Sequence, residues 1–368
     1  MPGKKIYTAK SIFTGNIWLD NHGILAENGV IREIAPINQL QKGVPVTGYD
    51  EYSLVPAFID LQIYGANERL FAVYPDSVSL TSLVDHSRKG GASLVLPTIA
   101  TNEQEVFYKG IDAIKQYWKE GGKGVLGVHL EGPWINPIRK GAHIESLIHA
   151  PRPEELNALL KHGEGVIKMI TIAPECCNPA TLSLLKSKGI LLSAGHSNAS
   201  YTESNLGFNQ GITLVTHLFN AMSPFLHRAP GLVGATMDHA EVMASIIPDG
   251  YHVDYAAIRI AKKIMGNRLF AITDAVTGTD KGYYRHKMAG DKYESEGILS
   301  GSAITMTRAL QNLVQHCGID LSEAIRMCSV YPAKAARIDR EYGMIEPGRK
   351  LNLLLLNKEY DAVEIIDE

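Results

Sequence analysis

The sequence predicts an α/β fold: a (β/α)₈ barrel of the TIM type with a small β-sandwich domain built from both ends of the chain. Two observations lead to this prediction. Short apolar, β-prone runs alternate with helical stretches through the middle of the chain, whereas short β-like pieces broken by Gly and Asn occupy the ends. Eight strand–helix units over this length favour a closed barrel over an open doubly wound sheet. The expected bounds are 55–342 for the barrel and 1–54 with 343–368 for the β domain.

The β domain is indicated by turn signals at both ends of the chain. Asn28-Gly29 lies between apolar flanks, a pattern typical of a tight β-hairpin. Near the other end, residues 351–356 are strand-like and follow a turn at Pro347-Gly348. The two ends are therefore expected to join in one small domain beside the barrel.

The barrel is indicated by continuous apolar runs, which are typical of parallel strands buried on both faces. The predicted strands are 57–62, 93–96, 124–130, 167–172, 190–194, 213–216, 242–247 and 268–273. The predicted helices are 78–89, 103–119, 153–160, 179–188, 201–209, 254–265, 304–316 and those around 321–338.

Composition narrows the class of protein. With 36 Lys and Arg against 39 Asp and Glu, the net charge is −3, so neither nucleic acid nor a membrane surface is an expected partner. The four cysteines contain no C-x-x-C pair, and the first residues carry no apolar signal segment, which favours a cytoplasmic protein. Dinucleotide and P-loop motifs are missing from the sequence, which disfavours nucleotide-binding classes.

Three polar side chains stand where predicted barrel strands end: Glu131, His196 and His217. The carboxyl ends of barrel strands meet around one opening, so these side chains are expected to converge. A carboxylate and two imidazoles with an open position form the ligand set of a hydrolytic zinc centre. Singly, a salt bridge to a barrel Lys or Arg is the better explanation of Glu131, and a core hydrogen bond explains each histidine equally well. Together they predict one divalent ion, with zinc expected, although iron, cobalt and manganese suit the same ligands.

Two further residues are candidates for the chemistry. Asp274 follows the last predicted strand, where a carboxylate could take a proton from water and pass it to a leaving amine. An ordinary helix N-cap is the alternative for Asp274. His143 lies in a glycine-containing loop after the Glu131 strand, where its imidazole could polarise a carbonyl. A solvated loop histidine is the alternative there.

Substrate contacts are expected from loops on the same rim of the barrel. Arg228 and His252 are cationic or potentially cationic and suit a phosphate group, although either could be a plain surface residue. Asn220 and Ala221 follow His217 closely enough for their side chain and amides to reach a substrate.

Eight motifs in order along the chain resemble the deacetylase family that acts on N-acetylglucosamine 6-phosphate, within the amidohydrolase superfamily. They cover nearly the whole chain. Each motif alone is weak evidence for the family, but eight of them in the same order are specific for it. The motifs are 56–61, 128–133, 141–143, 193–197, 216–222, 249–254, 273–275 and 299–302.

The resemblance implies hydrolysis of N-acetyl-D-glucosamine 6-phosphate to D-glucosamine 6-phosphate and acetate by a homodimer. It implies that Glu131, His196 and His217 bind the metal, that Asp274 is the acid/base and that His143 lies at the reacting carbonyl. It also implies substrate contacts from a set of loop residues, with part of the phosphate pocket supplied across the interface. That set is Ala142, His143, Asn220, Ala221, Arg228, His252, Leu299, Ser300 and Gly301.

One departure from the superfamily concerns the first strand. Amidohydrolases commonly carry His-x-His there, whereas this chain has Gln62-Ile63-Tyr64, so a second metal site is expected to be missing. Two alternatives to the implied activity remain open. The chain could act on another N-acetylhexosamine phosphate or N-acyl substrate, or it could be a catalytically silent barrel that serves as a scaffold.

Overall fold

The computed structural model describes residues 3–367, and its central feature is an eight-stranded sheet whose strands follow one another in chain order. The pairs from the second to the eighth strand are parallel. The strands are β1 (Phe58–Ile63), β2 (Ala92–Ala100), β3 (Val128–Glu131), β4 (Ile167–Ile172), β5 (Leu191–Ala194), β6 (Leu214–Val215), β7 (Met243–Ile246) and β8 (Leu269–Ala271).

The sheet closes into a barrel just beyond β8. The Asp274 amide donates a hydrogen bond to Gln62 O at 3.0 Å, and the Tyr64 amide donates to Ala275 O at 2.9 Å. Every residue of β1, β2 and β3 is buried, as expected for strands covered on both faces. The barrel predicted from the apolar runs is therefore confirmed.

Helices follow the strands. They are α1 (Ser77–Lys89), α2 (Gln104–Lys119), α3 (Pro153–His162), α4 (Pro179–Ser187), α5 (Tyr201–Asn209), α6 (Gly231–Asp238), α7 (Tyr255–Met265), α8 (Met306–Gln315), α9 (Leu321–Cys328) and α10 (Val330–Ala335). Five short 3₁₀ turns span Ile37–Gln39, Pro137–Arg139, Glu145–Leu147, Pro174–Cys176 and Gly266–Arg268. Sequence reasoning missed α6, because six of its eight residues are buried and it has no polar face to produce a helical pattern.

The chain divides into two compact units. One contains Met1–Asp60, Ser87–Ser93 and Thr305–Glu368. Within it, strands from both ends of the chain form one seven-stranded sheet, which confirms the β domain predicted from the two ends. Its strands are Lys4–Phe13, Trp18–Leu19, His22–Glu27, Val30–Pro36, Val46–Pro56, Asn352–Leu356 and Ala362–Asp367.

The predicted hairpin at Asn28-Gly29 is present in this sheet. Both residues have positive φ, 50° and 70°, and they join the antiparallel strands His22–Glu27 and Val30–Pro36. Asparagine and glycine tolerate this conformation, which the right-handed twist of a hairpin requires. The domain bounds 1–54, 343–368 and 55–342 stay a prediction, and residues 1, 2 and 368 lie outside the described part of the chain.

The other unit contains Leu61–His86 and Leu94–Ile304. Besides the barrel residues, it holds a two-stranded pair, Gly65–Ala66 with Arg69–Leu70, and a three-stranded antiparallel sheet of Lys287–Ala289, Lys292–Ser295 and Ile298–Ser302. Leu299, Ser300 and Gly301 were expected in a loop but lie on the last of these strands. This strand is fixed because the Ser302 amide donates to Asp274 O at 3.0 Å and the Val276 amide donates to Ser302 O at 3.2 Å. None of the described helices has the length and hydrophobicity that a bilayer span requires.

Candidate active site

Four polar side chains enter the barrel opening from the carboxyl ends of strands. Glu131 is the last residue of β3, His196 and His217 follow β5 and β6, and Asp274 follows β8. All four are at least 93% buried. His196, His217 and Asp274 also have positive φ values of 48°, 36° and 53°. Such strained backbone is uncommon outside glycine and clusters at functional sites, where it turns a side chain in a required direction.

Three ligand atoms converge at the centre of the opening. Glu131 Oε1 lies 3.0 Å from His217 Nε2 and 3.3 Å from His196 Nε2, and the two nitrogens are 3.1 Å apart. Tetrahedral zinc with bonds of 2.0–2.1 Å places its ligand atoms about 3.3 Å from one another. The spacing of the three atoms therefore fits a divalent ion bound between them.

The ring of His196 is oriented by the backbone. Its Nδ1 lies 3.0 Å from Arg139 O, so this nitrogen is a donor and Nε2 is the nitrogen that faces Glu131 and His217. By contrast, His217 Nδ1 is buried without a hydrogen-bond partner among residues 3–367. A metal-binding histidine usually has such a partner, and His196 fits this pattern.

The carboxylate of Glu131 is held by polar groups on all sides. Tyr64 Oη donates to Oε2 at 2.5 Å, and Gln62 Nε2 donates to Oε1 at 3.1 Å. Burial alone would raise the pKa of Glu131, but the charge of His196 and hydrogen bonds from three histidines hold it well below its usual value. Burial and the nearby Glu131 raise the pKa of Tyr64 well above its usual value. Glu131 is therefore an anion and Tyr64 a neutral donor.

His143 lies against the same carboxylate rather than in solvent. Its Nε2 is 3.1 Å from Glu131 Oε2, and its Nδ1 is 2.7 Å from Thr101 Oγ1. Burial, followed by the charge of His196, lowers the pKa of His143 to about 4, so its imidazole is neutral near pH 7. Glu131, His143 and His196 each offer a ligand atom within 4.8 Å of the others. The solvated loop histidine considered from the sequence is thus excluded.

A layer of hydrogen-bonded side chains supports the site from within the barrel. His129 Nε2 lies 2.7 Å from Thr171 Oγ1, which lies 2.7 Å from Thr216 Oγ1. Burial lowers the pKa of His129 to about 4. A β-carbon at Gly195 would come within 2.7 Å of the Thr171 side chain, so only glycine allows this packing. His129 therefore belongs to the layer beneath the ligand atoms.

The ligand atoms face a cavity of about 160 Å³, called here the substrate cavity. It brings together every predicted site residue except Arg228. The predicted residues that line it are Glu131, Ala142, His143, His196, His217, Asn220, Ala221, His252, Asp274, Leu299, Ser300 and Gly301. Arg228 is exposed, at a tight turn closed by two hydrogen bonds between Leu226 and Ala229.

His252 is fixed on the wall of the substrate cavity by Asp249. Asp249 Oδ2 lies 2.6 Å from His252 Nδ1, and Asp249 Oδ1 accepts hydrogen bonds from the amides of Tyr251 and His252. This carboxylate holds the imidazole in one orientation. A histidine held in this way suits an anionic group of a ligand.

Sequence reasoning did not assign two polar residues that contact Glu131. Gln62 and Tyr64 were weighed only as replacements for histidines, yet Gln62 Nε2 lies 2.7 Å from Tyr64 Oη and both bind the carboxylate. The sequence could have indicated both residues by their position, since they lie two residues apart at the end of the first barrel strand. Tyr284 and His286, which lie near His143, follow no motif in the sequence.

Two family models match the chain. A model described as the amidohydrolase family matches residues 53–366, and one described as the NagA composite domain matches residues 6–48. The chain is 32% identical to an N-acetylglucosamine-6-phosphate deacetylase of Haemophilus influenzae, over 96% of this chain and 95% of the relative. It is 30% identical to an N-acetylgalactosamine-6-phosphate deacetylase of Escherichia coli O157:H7, over 96% and 95%. A crystal structure of N-acetylglucosamine-6-phosphate deacetylase from Pasteurella multocida superposes with a TM-score of 0.94 at 31% identity, over 99% of this chain and 98% of the other.

Proposed function

This chain belongs to the amidohydrolase family, and from that premise we propose that it removes the acetyl group from N-acetyl-D-glucosamine 6-phosphate. The products are D-glucosamine 6-phosphate and acetate. The observation that carries the proposal is the convergence of Glu131 Oε1, His196 Nε2 and His217 Nε2 within 3.3 Å in the substrate cavity. The relative from Haemophilus influenzae carries the name of this reaction.

Glu131, His196 and His217 hold one divalent ion, and zinc is the ion that two imidazoles and one carboxylate suit best. When bound, such an ion supplies Lewis acidity to a water nucleophile and to the amide carbonyl. Gln62 and Tyr64 turn the carboxylate so that Oε1 faces the two histidines. An amide and a phenol replace the usual pair of imidazoles here, which supports one ion rather than two.

Asp274 and His143 move the proton and stabilise the charge. Asp274 accepts a proton from the attacking water and delivers it to the sugar nitrogen as the C–N bond breaks and the new C–O bond forms. His143, neutral and placed by Thr101, donates a hydrogen bond to the carbonyl oxygen as negative charge develops there. Both residues line the substrate cavity with the ligand atoms, which supports these roles.

The sugar phosphate lies along the rest of the substrate cavity. Asn220, Ala221 and Ala142 contact the sugar, and the strand residues Leu299, Ser300 and Gly301 close over it. His252, held by Asp249, binds the phosphate. Arg228 is exposed and outside the substrate cavity of its own chain. We propose that it reaches the phosphate of a second copy in a homodimer, since part of the phosphate pocket is expected to be supplied across the interface.

A second substrate has one observation in its favour. The Escherichia coli relative, 30% identical over nearly the same length, is named for N-acetylgalactosamine 6-phosphate. The two sugars differ only in the orientation of the hydroxyl at the fourth carbon, and a site that binds that hydroxyl can discriminate strongly between them. A catalytically silent scaffold has no such observation, and the named relatives are enzymes.

Acetate release from a small panel tests the proposal. The panel contains N-acetylglucosamine, N-acetylgalactosamine and their 6-phosphates, each with and without a chelator, together with metal analysis of the purified protein. We expect one ion per chain and the highest kcat/KM for N-acetylglucosamine 6-phosphate, with loss of turnover after chelation. Preference for the galacto phosphate would favour the second substrate. Metal-loaded protein without acetate release from any member would refute the proposal.

A cytoplasmic location stays a prediction from the sequence.

A further inference from the structure

A second cavity of about 40 Å³ adjoins the substrate cavity, and we call it the side cavity. The two cavities share part of their walls. The shared residues are Tyr64, Glu131, Ala142, His143 and Ser300. The side cavity therefore meets the substrate cavity at Glu131 and His143, and neither Asn220 nor His252 lines it.

The walls that belong only to the side cavity are largely apolar. Leu70, Ala72, Ala100 and Val276 line it, and of these Leu70, Ala100 and Val276 are at least 92% buried. Leu70, Ala100 and Val276 pack with Tyr64 and Tyr284 in one cluster. Because these side chains are fixed in a packed cluster, the space between them is part of the folded structure.

The polar groups of the side cavity are engaged with other protein groups. Tyr284 Oη donates to Thr101 O at 2.6 Å, and Tyr64 Oη donates to Glu131. His286 Nδ1 lies 2.9 Å from Ser300 Oγ, and burial lowers the pKa of His286 to about 4, so it is uncharged near pH 7. Apart from the Glu131 carboxylate that it shares with the substrate cavity, the side cavity thus offers a ligand a largely apolar environment.

The geometry of an amide directs one end of the substrate into this space. A trans amide is planar and places the substituents of its nitrogen and its carbonyl carbon on opposite sides. With the sugar towards Asn220 and His252, the acyl substituent points past His143 into the side cavity. One water-sized group needs on the order of 10–15 Å³ of such a cavity, so the side cavity has room for about three groups of that size rather than the single methyl group of an acetyl.

We propose that this enzyme also hydrolyses N-acyl groups longer than acetyl, namely the N-propionyl and N-butyryl derivatives of glucosamine 6-phosphate. In each case water adds across the amide: the C–N bond breaks, a C–O bond forms, the fatty acid leaves and the amine takes the proton. The inference rests on the proposed function, because it requires the sugar and the metal to occupy the substrate cavity. The wall formed by Ala72, Ala100 and Val276 sets the upper limit on acyl length.

The test measures kcat/KM of the metal-loaded enzyme for the N-acetyl, N-propionyl and N-butyryl substrates. Release of glucosamine 6-phosphate is the readout, since all three give this product. We expect both longer substrates to react within tenfold of the acetyl substrate. Activity on acetyl with a larger loss for either longer substrate would overturn this inference alone. Inactivity on all three would instead contradict the proposed function.

A variant that fills the side cavity makes the test specific. Ala72→Leu is expected to lower kcat/KM for the butyryl substrate at least tenfold while the acetyl value changes less than threefold. Ala303→Leu is the matched control, because Ala303 is exposed and lines a different cavity with Gly65 and His86. If Ala72→Leu lowered both values equally, or Ala303→Leu gave the same selectivity, the inference would be wrong. Ala100→Val provides a smaller change should Ala72→Leu fail to fold.

Discussion

The hydroxyl of Tyr64 donates a 2.5 Å hydrogen bond to Glu131 Oε2. Tyr64 follows β1 and Glu131 ends β3, and Gln62 links the two side chains because its Nε2 reaches both Tyr64 Oη and Glu131 Oε1. Tyr64 therefore holds Oε2, whereas Oε1 accepts from Gln62 and also faces the two histidines. Tyr64 acts as a positioning residue for a metal ligand, at a place where related enzymes carry an imidazole.

Replacing Tyr64 by phenylalanine should weaken metal binding. The change removes the donor to Glu131 Oε2 but keeps the ring, and loss of such a partner of a ligand typically lowers metal affinity 10- to 100-fold. Competition with a chromophoric chelator measures the dissociation constant. Tyr284→Phe is the control, because its buried hydroxyl donates to Thr101 O rather than to Glu131. Equal metal affinity in Tyr64→Phe and wild type would show that the hydroxyl does not position the ligand.

Restoring the two imidazoles should create a second metal site. The wild-type chain is expected to bind one ion, and the double variant Gln62→His/Tyr64→His two, since His-x-His supplies the ligands that an amide and a phenol do not. Metal analysis after gel filtration in zinc-buffered solution gives the stoichiometry. Two ions per wild-type chain would contradict the single-ion site.

Asp274→Asn should separate metal binding from turnover. The amide keeps the shape of the side chain but cannot accept the proton of the attacking water, so kcat should fall by about 10²- to 10⁴-fold. Metal content should stay at the wild-type value, because Asp274 is not one of the three proposed ligands. Near wild-type kcat in this variant would leave Asp274 with a structural role only.

The pairing of His252 with Asp249 should control recognition of the phosphate. His252→Ala is expected to raise KM for the phosphorylated substrate at least tenfold, and Asp249→Asn to raise it less, because it only loosens the imidazole. Neither change should alter kcat/KM for the unphosphorylated sugar by more than about threefold. Equal losses on both substrates would instead indicate damage to the reacting centre.

Acid should destabilise the protein partly through His286. Burial lowers its pKa from 6.5 to about 4, so between these values the unfolded chain binds a proton that the folded chain does not. The contribution of the neutral ring to the free energy of unfolding is therefore complete above pH 6.5. It decreases as the pH falls towards 4, and the total decrease is at most about 3 kcal/mol. Urea unfolding from pH 4.5 to 8 should show a shallower pH dependence in His286→Gln than in wild type.

Identical curves for wild type and His286→Gln would show that the His286 ring titrates normally in the folded state.

Much of the barrel could be predicted because each strand is an uninterrupted apolar run. The predicted strand 167–172 matches β4 fully, and the predicted helix 201–209 matches α5. Elements without such a pattern were missed. Helix α6 is buried nearly all round, and the sheet of residues 287–302 consists of three short strands with mostly polar or exposed residues.

The sequence by itself determined the order of strands and the placing of Glu131, His196, His217 and Asp274 at strand ends, because parallel barrel strands point their carboxyl ends to one rim. Only the tertiary structure decided the contacts between residues far apart in the chain. The bond from Tyr64 to Glu131 spans 67 positions, and the side cavity forms where segments around residues 70, 100 and 276 meet. The local sequence pattern reflects the periodicity of each helix or strand. Contacts between residues far apart in the chain depend instead on how the closed barrel brings separate loops together.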